Sequence, residues 1–418
     1  MSATIAVDEL RVGMYIQLEG GWLSHPFPLS SFKIASADQI ATLRGLGLLR
    51  VRWVPEKSDL QGGILEADVP AAPQLPPDPQ EAAATERRRR LAAQREAVQL
   101  CERQHAEAAR AWRDACDAIA AQPREAGRGA DALTRAMLSK LLVSDEIGIR
   151  LIAGGPDRAA AHALNVGVVS LLIGRSLGLA DAELLELGVG ALMHDIGKQE
   201  VPDRFRHQDE NFNTAETNAY REHVGKGVAL GLRMGLPGAA MTVLAQHHEV
   251  ADGSGFPMRL ALDRMSLGAR LVSLVDRYDN LCNPQARGLA LTPHEAVSVL
   301  FAQGRKRYDA QVLNAFIRLV GVYPAGSLVQ LTDDRHALVI GVNSSRTLKP
   351  RVLVHDARVP RGEALVLDLE REPDLGIRRS LPPSKLPPDA LSYLDPKPRV
   401  VYFFEPLHGD ELPREQAA

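Results

Sequence analysis

Apolar residues recur at helical spacing through the middle of the chain. Between residues 131 and 320 they return close to every 3.6 positions in seven segments, which are 159–177, 181–193, 214–234, 239–248, 267–281, 293–303 and 310–320. Segments of this length are typical of helices in folded domains. We therefore predict a mainly α fold with a helical bundle at residues 131–320.

The two flanks of this region have a different pattern. Near the start, short β-like runs at 12–18 and 51–54 surround a predicted helix at 36–46, which begins at the N-cap residue Ser36. These elements predict a small α+β domain at residues 1–69. Beyond Gly321, short β-rich runs alternate with turns, and a last run at 400–404 can close a sheet. They predict a small β-rich domain at residues 321–406, followed by a polar tail at 407–418.

Residues 70–130 link the N-terminal domain to the bundle. Five prolines between positions 70 and 79 predict a stiff, extended linker. Residues 81–121 contain no Gly or Pro and are rich in Ala, Glu, Arg and Gln, which predicts one long helix. The apolar stripe of this helix is narrow, so two arrangements are open: pairing with a second copy as a homodimer, or folding against its own chain.

The bulk composition narrows the class of protein. A chain of 418 residues with 45% hydrophobic and 24% charged residues is typical of a folded protein of two to four domains. A net charge of −3 gives no indication of nucleic-acid binding. The three scattered cysteines favour a reducing compartment. The sequence contains no long uncharged apolar run, so no membrane span is predicted. The expected location is the cytoplasm.

Two short motifs indicate the chemistry. Residues 194–198 read His-Asp-Ile-Gly-Lys, and residues 247–257 read His-His-Glu-Val-Ala-Asp-Gly-Ser-Gly-Phe-Pro. Imidazoles and carboxylates are the groups that hold two divalent metals. A lone histidine in a helix is more often a core residue than a ligand, so His162 and His223 become candidates only beside these motifs. Asp276 lies in an apolar helix, where an unpaired carboxylate would be costly to bury.

This pair of motifs resembles the HD-GYP family of bacterial metal-dependent phosphodiesterases, which cleave cyclic di-GMP. The resemblance covers residues 131–320, and residues 1–69 resemble a small domain often found ahead of HD-GYP modules. It implies a helical HD-type bundle with two divalent metal ions, iron or manganese, and hydrolysis of cyclic di-GMP to pGpG, with GMP as a further product left open. The metal ligands that it implies are His162, His194, Asp195, His223, His247, His248 and Asp276.

The resemblance also implies roles for residues around the metals. Asp195 is expected to bridge the two ions, and Lys198 to contact the scissile phosphate, where a positive charge stabilises the reacting group. Glu249, Asp252 and Asp279 are expected to orient ligands or hold the loop. Signalling proteins are candidate partners, through the N-terminal domain or through the loop around residue 256.

The chain departs from the family pattern at three places. Arg158 stands where some members carry a Glu for a third metal, which favours a two-metal site. Phe256 replaces the usual Tyr. The segment 279–287 lacks the usual basic residues at their usual spacing, and Arg287 is the candidate substitute. Two alternatives to the phosphodiesterase therefore stay open: a catalytically weak or inactive cyclic-dinucleotide sensor or scaffold, and an HD hydrolase of another nucleotide.

Overall fold

The computed structural model describes residues 3–18, 25, 27, 31–59, 79–143, 147–209, 211–343 and 348–406. The chain divides into two compact units, residues 1–92 and residues 93–418. The division falls inside the longest helix, α2 (Pro79–Ala118). The predicted tail at 407–418 and most of the proline-rich segment lie outside the described residues.

The N-terminal unit contains a four-stranded antiparallel sheet and one short helix before α2. The strands β1 (Ala3–Ala6), β2 (Tyr15–Gln17), β3 (Ser31–Lys33) and β4 (Arg50–Trp53) lie in the order β1-β4-β2-β3. Helix α1 (Ala37–Gly45) begins after Ser36, whose side chain accepts a hydrogen bond from the backbone N–H of Gln39. The predicted N-cap is therefore present. Ile16, Ile34 and Leu43 are fully buried in the core of this unit.

Helices form most of the C-terminal unit, as the apolar period predicts. They are α3 (Pro123–Val143), α4 (Arg158–Ser176), α5 (Asp181–Met193), α6 (Thr214–Met234), α7 (Gly238–Gln246), α8 (Leu267–Cys282), α9 (Pro293–Arg307), α10 (Ala310–Val320) and α11 (Pro388–Leu394). Helix α4 packs on α5 and α8, and α7 packs on α5, α6 and α8. Because α4 is covered on nearly all sides, almost every residue from Ala160 to Gly174 is buried.

Helix α4 also has the length and hydropathy of a membrane-crossing segment. It is the one helix of that kind in the described ranges, and 78% of its apolar window is buried inside the protein. The apolar character of α4 therefore matches its position at the centre of the bundle.

A seven-stranded antiparallel sheet completes the C-terminal unit. Its strands are β5 (Ile147–Ile152), β6 (Leu328–Leu331), β7 (His336–Asn343), β8 (Arg351–Val354), β9 (Val366–Asp368), β10 (Ile377–Ser380) and β11 (Val401–Pro406). The order is β10-β6-β7-β5-β11, with β8 between β7 and β9. The predicted mainly α fold class, with strand-rich regions near both ends of the chain, is confirmed.

Strand β5 differs from the prediction of a nearly all-helical region at 131–320. Residues Ile147 to Ile152 pair along their whole length with β11, and three of them also pair with β7. This short run is rich in isoleucine, which suits a strand that is buried between two neighbours. The region at 321–406 is consequently joined to the bundle region by one shared sheet.

The second half of α2 packs against its own chain. Cys101, Ala108, Ala115 and Ile119, which form part of the predicted narrow stripe, are all buried. The indole Nε1 of Trp112 donates a hydrogen bond to the carbonyl oxygen of Leu192 at 2.8 Å. Residues 93–118, which the sequence analysis assigned to the linker region, thus belong by their contacts to the C-terminal unit.

Candidate metal centre

The seven predicted ligands converge inside the C-terminal unit. They come from five helices or from the residues just after them: His162 on α4, His194 and Asp195 after α5, His223 on α6, His247 and His248 after α7, and Asp276 on α8. Two groups have donor atoms within 4.8 Å of one another, namely His162, His194 and Asp195, and Asp195, His223, His247 and His248. Asp195 belongs to both groups.

Asp195 reaches the cluster because the chain after α5 turns tightly against α6. A short 3-10 helix, Ile196–Glu200, begins directly after it. A Cβ atom on Gly197 would lie 1.9 Å from the carbonyl oxygen of His223 and 2.4 Å from the nitrogen of Gly227. Only glycine allows the two backbones to approach so closely. This contact places Asp195 and Lys198 beside His223.

The two carboxylate oxygens of Asp195 face different histidines. Oδ2 lies 3.5 Å from Nε2 of both His162 and His194. Oδ1 lies 3.7 Å from Nε2 of His223 and 3.8 Å from Nε2 of His247. Within the described ranges, Oδ1 is buried and has no hydrogen-bond partner. A buried carboxylate oxygen without a hydrogen-bond partner destabilises the folded protein. A divalent metal ion would supply that partner, and the surrounding imidazoles and carboxylates are suitable ligands for it.

Hydrogen bonds orient the imidazoles so that Nε2 points into the cluster. His194, His223 and His247 use Nδ1 to donate to the backbone carbonyl three residues earlier in the same helix, which leaves Nε2 free of its proton. The acceptors are Ala191, Tyr220 and Leu244, at 2.7, 2.6 and 3.0 Å. His162 differs, because its Nδ1 faces a side chain: Oδ2 of Asp279 at 2.6 Å.

Asp276 lies between the two groups of histidines. Its Oδ1 is 3.2 Å from Nε2 of His162 and 3.7 Å from Nε2 of His194. Its Oδ2 is 3.9 Å from Nδ1 of His248. Asn280, one turn later on α8, donates to Oδ1 at 2.7 Å. The buried carboxylate that the sequence analysis singled out is therefore surrounded by imidazoles and an amide.

Burial and neighbouring charges set the protonation states of the cluster. Burial opposes protonation of His162, but hydrogen bonds to the carboxylates of Asp195, Asp276 and Asp279 outweigh it and raise the pKa of His162 well above its usual value. Burial, together with the neighbouring imidazoles, holds the pKa of His247 well below its usual value, and burial lowers the pKa of His248 to about 3. Burial opposes ionisation of Asp195, but the positive charge of Lys198 is the largest of the contributions that outweigh it, so the pKa of Asp195 lies well below its usual range. Neutral imidazoles beside ionised carboxylates are the forms that bind divalent metals.

Lys198 lies at the edge of the cluster. Its Nζ is 2.5 Å from Oδ2 of Asp195 and 5.9 Å from the centre of the Tyr220 ring. Its side chain is 18% exposed, so most of its surface is covered by the protein. A positive charge therefore lies directly beside the carboxylate that joins the two groups of donors.

Glu249 holds the loop that follows His248. Its side chain is fully buried, and it accepts hydrogen bonds from the backbone N–H groups of Met258 at 2.6 Å and Leu260 at 2.8 Å. A Cβ atom on Gly255 would lie 2.5 Å from the carbonyl oxygen of His248, so glycine is required for the loop to fold back on its own start. Glu249 thus fastens the loop that carries Phe256.

Asp252 lies in the outer turn of the same loop. Its Oδ1 accepts a hydrogen bond from the backbone N–H of Ser254 at 2.9 Å, and its Oδ2 lies 4.0 Å from Nε of Arg307. The exposed Asp252 side chain therefore stabilises the turn. Neither of these two contacts involves a histidine of the cluster.

Phe256, which replaces the usual Tyr, stacks on a predicted ligand. Its ring centre lies 4.6 Å from that of His248, with an angle of 26° between the planes. The guanidinium carbon of Arg221, an exposed residue of α6, lies 5.0 Å from the centre of the same ring. An aromatic ring thus separates a surface cation from His248. The composition of the loop alone does not indicate this role for Arg221.

Two arginines were singled out because the chain departs from the family pattern. Arg158, one turn before His162, donates to the backbone carbonyl oxygens of Asn283 at 3.2 Å and Pro284 at 2.8 Å. It therefore holds the segment after α8. Arg287 begins a short 3-10 helix, Arg287–Leu289, and its side chain lies outside the part of the structure that is described.

Sequence reasoning missed two asparagines beside the cluster. Asn165 donates to Oδ1 of Asp279 at 2.6 Å, and Asn283 donates to the same atom at 2.9 Å. Asn165 lies one turn after His162 on α4, and only 2% of its surface is exposed. A polar residue in so apolar a helix was the available signal, because a buried amide needs hydrogen-bond partners.

Comparisons with known proteins identify the relatives of this chain. Residues 2–128 match a domain of unknown function (DUF3391), and residues 146–312 match the HD domain. The cyclic di-GMP phosphodiesterase PA4108 of Pseudomonas aeruginosa is 30% identical over 363 residues, which cover 85% of this chain and 85% of that protein. The chain belongs to the HD-GYP family. All seven candidate ligands of this HD-GYP protein lie within the matched HD domain.

Other relatives match this HD-GYP chain over shorter stretches. The cyclic di-GMP phosphodiesterase response regulator RpfG of Xanthomonas campestris is 28% identical over 152 residues, 36% of this chain and 40% of RpfG. The 3'3'-cGAMP-specific phosphodiesterase 3 of Vibrio cholerae is 26% identical over 165 residues, 40% of this chain and 36% of that protein. Among solved structures, Bd1817, an HDG"Y"P protein from Bdellovibrio bacteriovorus, aligns with a TM-score of 0.41 at 13% identity, over 76% of this chain and 98% of that chain.

Proposed function

We propose that this HD-GYP protein is a metal-dependent phosphodiesterase that hydrolyses cyclic di-GMP to linear pGpG, with GMP as the product of a second cleavage. The observation that carries the proposal is the position of Asp195, whose two oxygens face two separate groups of histidines. The relative that aligns over 85% of both chains is named a cyclic di-GMP phosphodiesterase. The complete set of imidazoles and carboxylates favours an enzyme over an inactive scaffold.

The proposed centre holds two divalent ions, iron or manganese, because a mixed imidazole and carboxylate shell suits these metals. One ion would be held by His162, His194, Asp276 and Oδ2 of Asp195, and the other by His223, His247, His248 and Oδ1 of Asp195. When bound, the ions lower the pKa of the attacking water and stabilise the negative charge that develops on the phosphate.

The remaining roles belong to side chains of the protein. In this proposal, Asp195 fixes the spacing between the two groups of imidazoles. Lys198 lies at the edge of the cluster with its Nζ beside Asp195 and its side chain partly open to solvent, so it is placed to donate to a non-bridging oxygen of the scissile phosphate. Attack by water on the phosphorus breaks the bond to the 3'-oxygen, which leaves as a hydroxyl. Arg287 remains the proposed additional contact to the substrate.

The cysteines support a cytoplasmic reaction. Cys101, Cys116 and Cys282 are all buried and unpaired. Burial raises the pKa of Cys101 and of Cys116 to about 12, so both stay as unreactive thiols. Buried free thiols without disulfides fit a reducing compartment, where a cyclic dinucleotide messenger would also be available as substrate.

The test combines metal analysis with turnover on two substrates. The full-length chain should hold close to two equivalents of iron or manganese and should convert cyclic di-GMP to pGpG. The isosteric variant Asp195→Asn should lose metal, and its turnover should fall by at least about 100-fold, since even changes next to metal ligands cost roughly 10–100-fold. The matched control is Asp131→Asn, which makes the same change at a carboxylate that pairs with Arg135 on α3.

Three results would contradict the proposal in different ways. Full metal content and full turnover in Asp195→Asn would exclude Asp195 as the bridging ligand. A metal-loaded parent that cleaves 3'3'-cGAMP but not cyclic di-GMP would keep the enzyme and change the substrate. A metal-loaded parent that cleaves neither nucleotide would favour the sensor or scaffold.

A further inference from the structure

His162 is held differently from the other helix-borne histidines of the centre. His194, His223 and His247 take their orientation from their own helices, through the carbonyl three residues earlier. The orientation of His162 depends on a residue of another helix, because its Nδ1 lies 2.6 Å from Oδ2 of Asp279 on α8. The orientation of the His162 ring therefore depends on what fixes the Asp279 carboxylate.

Two asparagine side chains hold that carboxylate. Nδ2 of Asn165 donates to Oδ1 of Asp279 at 2.6 Å, and Nδ2 of Asn283 donates to the same oxygen at 2.9 Å. Together with His162, the carboxylate has a donor on each oxygen. Asn165 lies on α4, which carries His162, and Asn283 directly follows α8, which carries Asp276. The Asp279 carboxylate is therefore hydrogen-bonded from both helices.

Both asparagines also bind the backbone at the start of β11. Nδ2 of Asn165 and Nδ2 of Asn283 donate to the carbonyl oxygen of Val400, at 3.0 and 2.9 Å. Oδ1 of Asn283 accepts from the N–H of Val400 at 2.9 Å, and Oδ1 of Asn165 accepts from the N–H of Tyr402 at 2.8 Å. Val400 precedes the residues that pair with β5, so the amides satisfy backbone groups that the sheet ladder does not reach.

The same segment is fastened at a third point. Arg158 on α4 donates to the carbonyl oxygens of Asn283 and Pro284. The residue that replaces the Glu of a third metal site thus stabilises the chain around Asn283. The end of α8 is consequently tied to α4 by the guanidinium of Arg158 and the amide of Asn165, and to β11 by the amide of Asn283.

We infer that Asn165 and Asn283 are positioning residues, through which the strand at residues 400–402 fixes Asp279 and hence the Nε2 of His162. The inference rests on the metal centre of the proposed function. It makes the C-terminal sheet part of the apparatus that shapes one side of the site. It also predicts an asymmetry, because the network reaches His162 and ends there, whereas His223, His247 and His248 are held by α6, α7 and their own contacts.

Cobalt titration of the full-length, metal-stripped chain tests this asymmetry. Co²⁺ is the probe, because its visible absorption reports the ligand geometry at each ion. The parent should bind two equivalents. Asn165→Ala and Asn283→Ala should each weaken one of the two equivalents by about 10–100-fold in competition with a chelator, and shift the corresponding absorption bands. The other equivalent should keep its affinity and its spectrum.

Two further variants separate positioning from loss of folding. Asn165→Asp is isosteric and keeps an acceptor for the N–H of Tyr402, but its carboxylate repels that of Asp279 in place of donating to it, so it should weaken the same equivalent at least as strongly as Asn165→Ala. Tyr393→Phe removes a hydroxyl outside this network, one that donates to the carbonyl oxygen of Val359 at 3.0 Å. It should lower the urea midpoint without changing either cobalt equivalent.

The outcomes distinguish the inference from the proposal on which it rests. A parent that binds two equivalents, with asparagine variants that bind both equally well, would overturn the positioning role and leave the metal centre intact. Equal weakening of both equivalents would also overturn it, since the effect would then be general. A parent that binds no cobalt would overturn the metal centre and the inference together.

Discussion

Nζ of Lys198 lies 2.5 Å from Oδ2 of Asp195, the same oxygen that faces His162 and His194. The pairing holds the ammonium group at the edge of the cluster. An ammonium group has three N–H donors, so one can bind Asp195 while others stay available to a phosphate oxygen. In the proposed function, Lys198 therefore lies between the bridging carboxylate and the scissile phosphate.

Lys198→Ala should slow turnover about 100-fold, because it removes a positive charge that stabilises the reacting phosphate. Metal content should stay near two equivalents, since every imidazole and carboxylate of the cluster remains. Lys226→Ala is the matched control, because Lys226 is an α6 lysine that pairs with Glu222. Parallel measurement of metal content and turnover checks the prediction. Loss of metal together with activity would mean that Lys198 supports Asp195 and not the substrate.

Four of the seven candidate ligands could be foreseen because they occur in two dense local motifs, whereas His162, His223 and Asp276 were implied as metal ligands only by the family resemblance. His194 and Asp195 are adjacent, as are His247 and His248, and each pair directly follows a helix whose period is visible in the sequence. What the sequence could not show is which groups hold these side chains. Asn165 and Asn283 lie 118 positions apart in the printed numbering and act on one carboxylate only because α4 and the end of α8 meet in the fold.

Glu249→Ala should loosen the loop from Glu249 to Leu260. The buried carboxylate accepts from two backbone N–H groups, and their loss without replacement should lower the free energy of unfolding of the C-terminal unit by about 2–4 kcal/mol. Glu249→Gln retains one acceptor oxygen and should cost about half as much. Urea unfolding gives the energy, and proteolysis at residues 252–259 reports the loop. Equal effects of the two variants would show that the lost acceptor is not the cause.

The long-range parts of the fold were the least predictable from sequence. The helices between residues 159 and 320 follow the apolar period, and their bounds differ from the predicted ones by only a few residues. Strand β5 was missed because its six residues contain too little periodicity, and its partners β7 and β11 lie about 190 and 250 positions later in the chain. The buried half of α2 was obscured because alanines supply much of its contact surface.

Because His105 is buried as a neutral ring, the C-terminal unit should become less stable as the pH falls into the mildly acidic range. The side chain is 4% exposed, and its ring lies edge-on to Phe403 at 5.7 Å. Burial lowers the pKa of His105 to about 4 from 6.5, so the unfolded chain takes up a proton that the folded chain excludes. The stability contribution of the neutral ring is therefore complete above pH 6.5, falls as the pH decreases, and is lost by about pH 4. The shift corresponds to about 3 kcal/mol.

His105→Leu isolates this contribution, because leucine is apolar and does not titrate. Urea unfolding of the parent and the variant at several pH values should give a difference that moves in favour of the variant between pH 6.5 and 4. The difference should be constant between pH 7 and 8. Parallel pH profiles for the two proteins would show that His105 is protonated to the same extent in the folded and unfolded chains.

The position of α2 predicts where the chain can be shortened. Residues from Ala93 onward pack in the C-terminal unit, and Trp112 donates to the carbonyl oxygen of Leu192, two residues before His194. Gln94 also exchanges hydrogen bonds with the backbone of Ala364 and Val366. Removal of residues 1–92 should therefore leave a folded, metal-loaded phosphodiesterase. Removal of residues 1–125 should not, because it exposes the surfaces that α2 covers.

The two truncations differ by only 33 residues, which makes the comparison specific for the second half of α2. We expect the shorter deletion to retain close to two equivalents of metal and turnover within about threefold of the parent. The longer deletion should be insoluble or should lose metal, since the end of α5 that presents His194 loses its contact with Trp112. Trp112→Phe in the full-length chain keeps an aromatic ring but removes the hydrogen bond and the second ring of the indole, at a cost of at least about 1 kcal/mol. A soluble, fully active protein without residues 1–125 would show that α2 contributes nothing to the catalytic unit, and would place the functional boundary near residue 130.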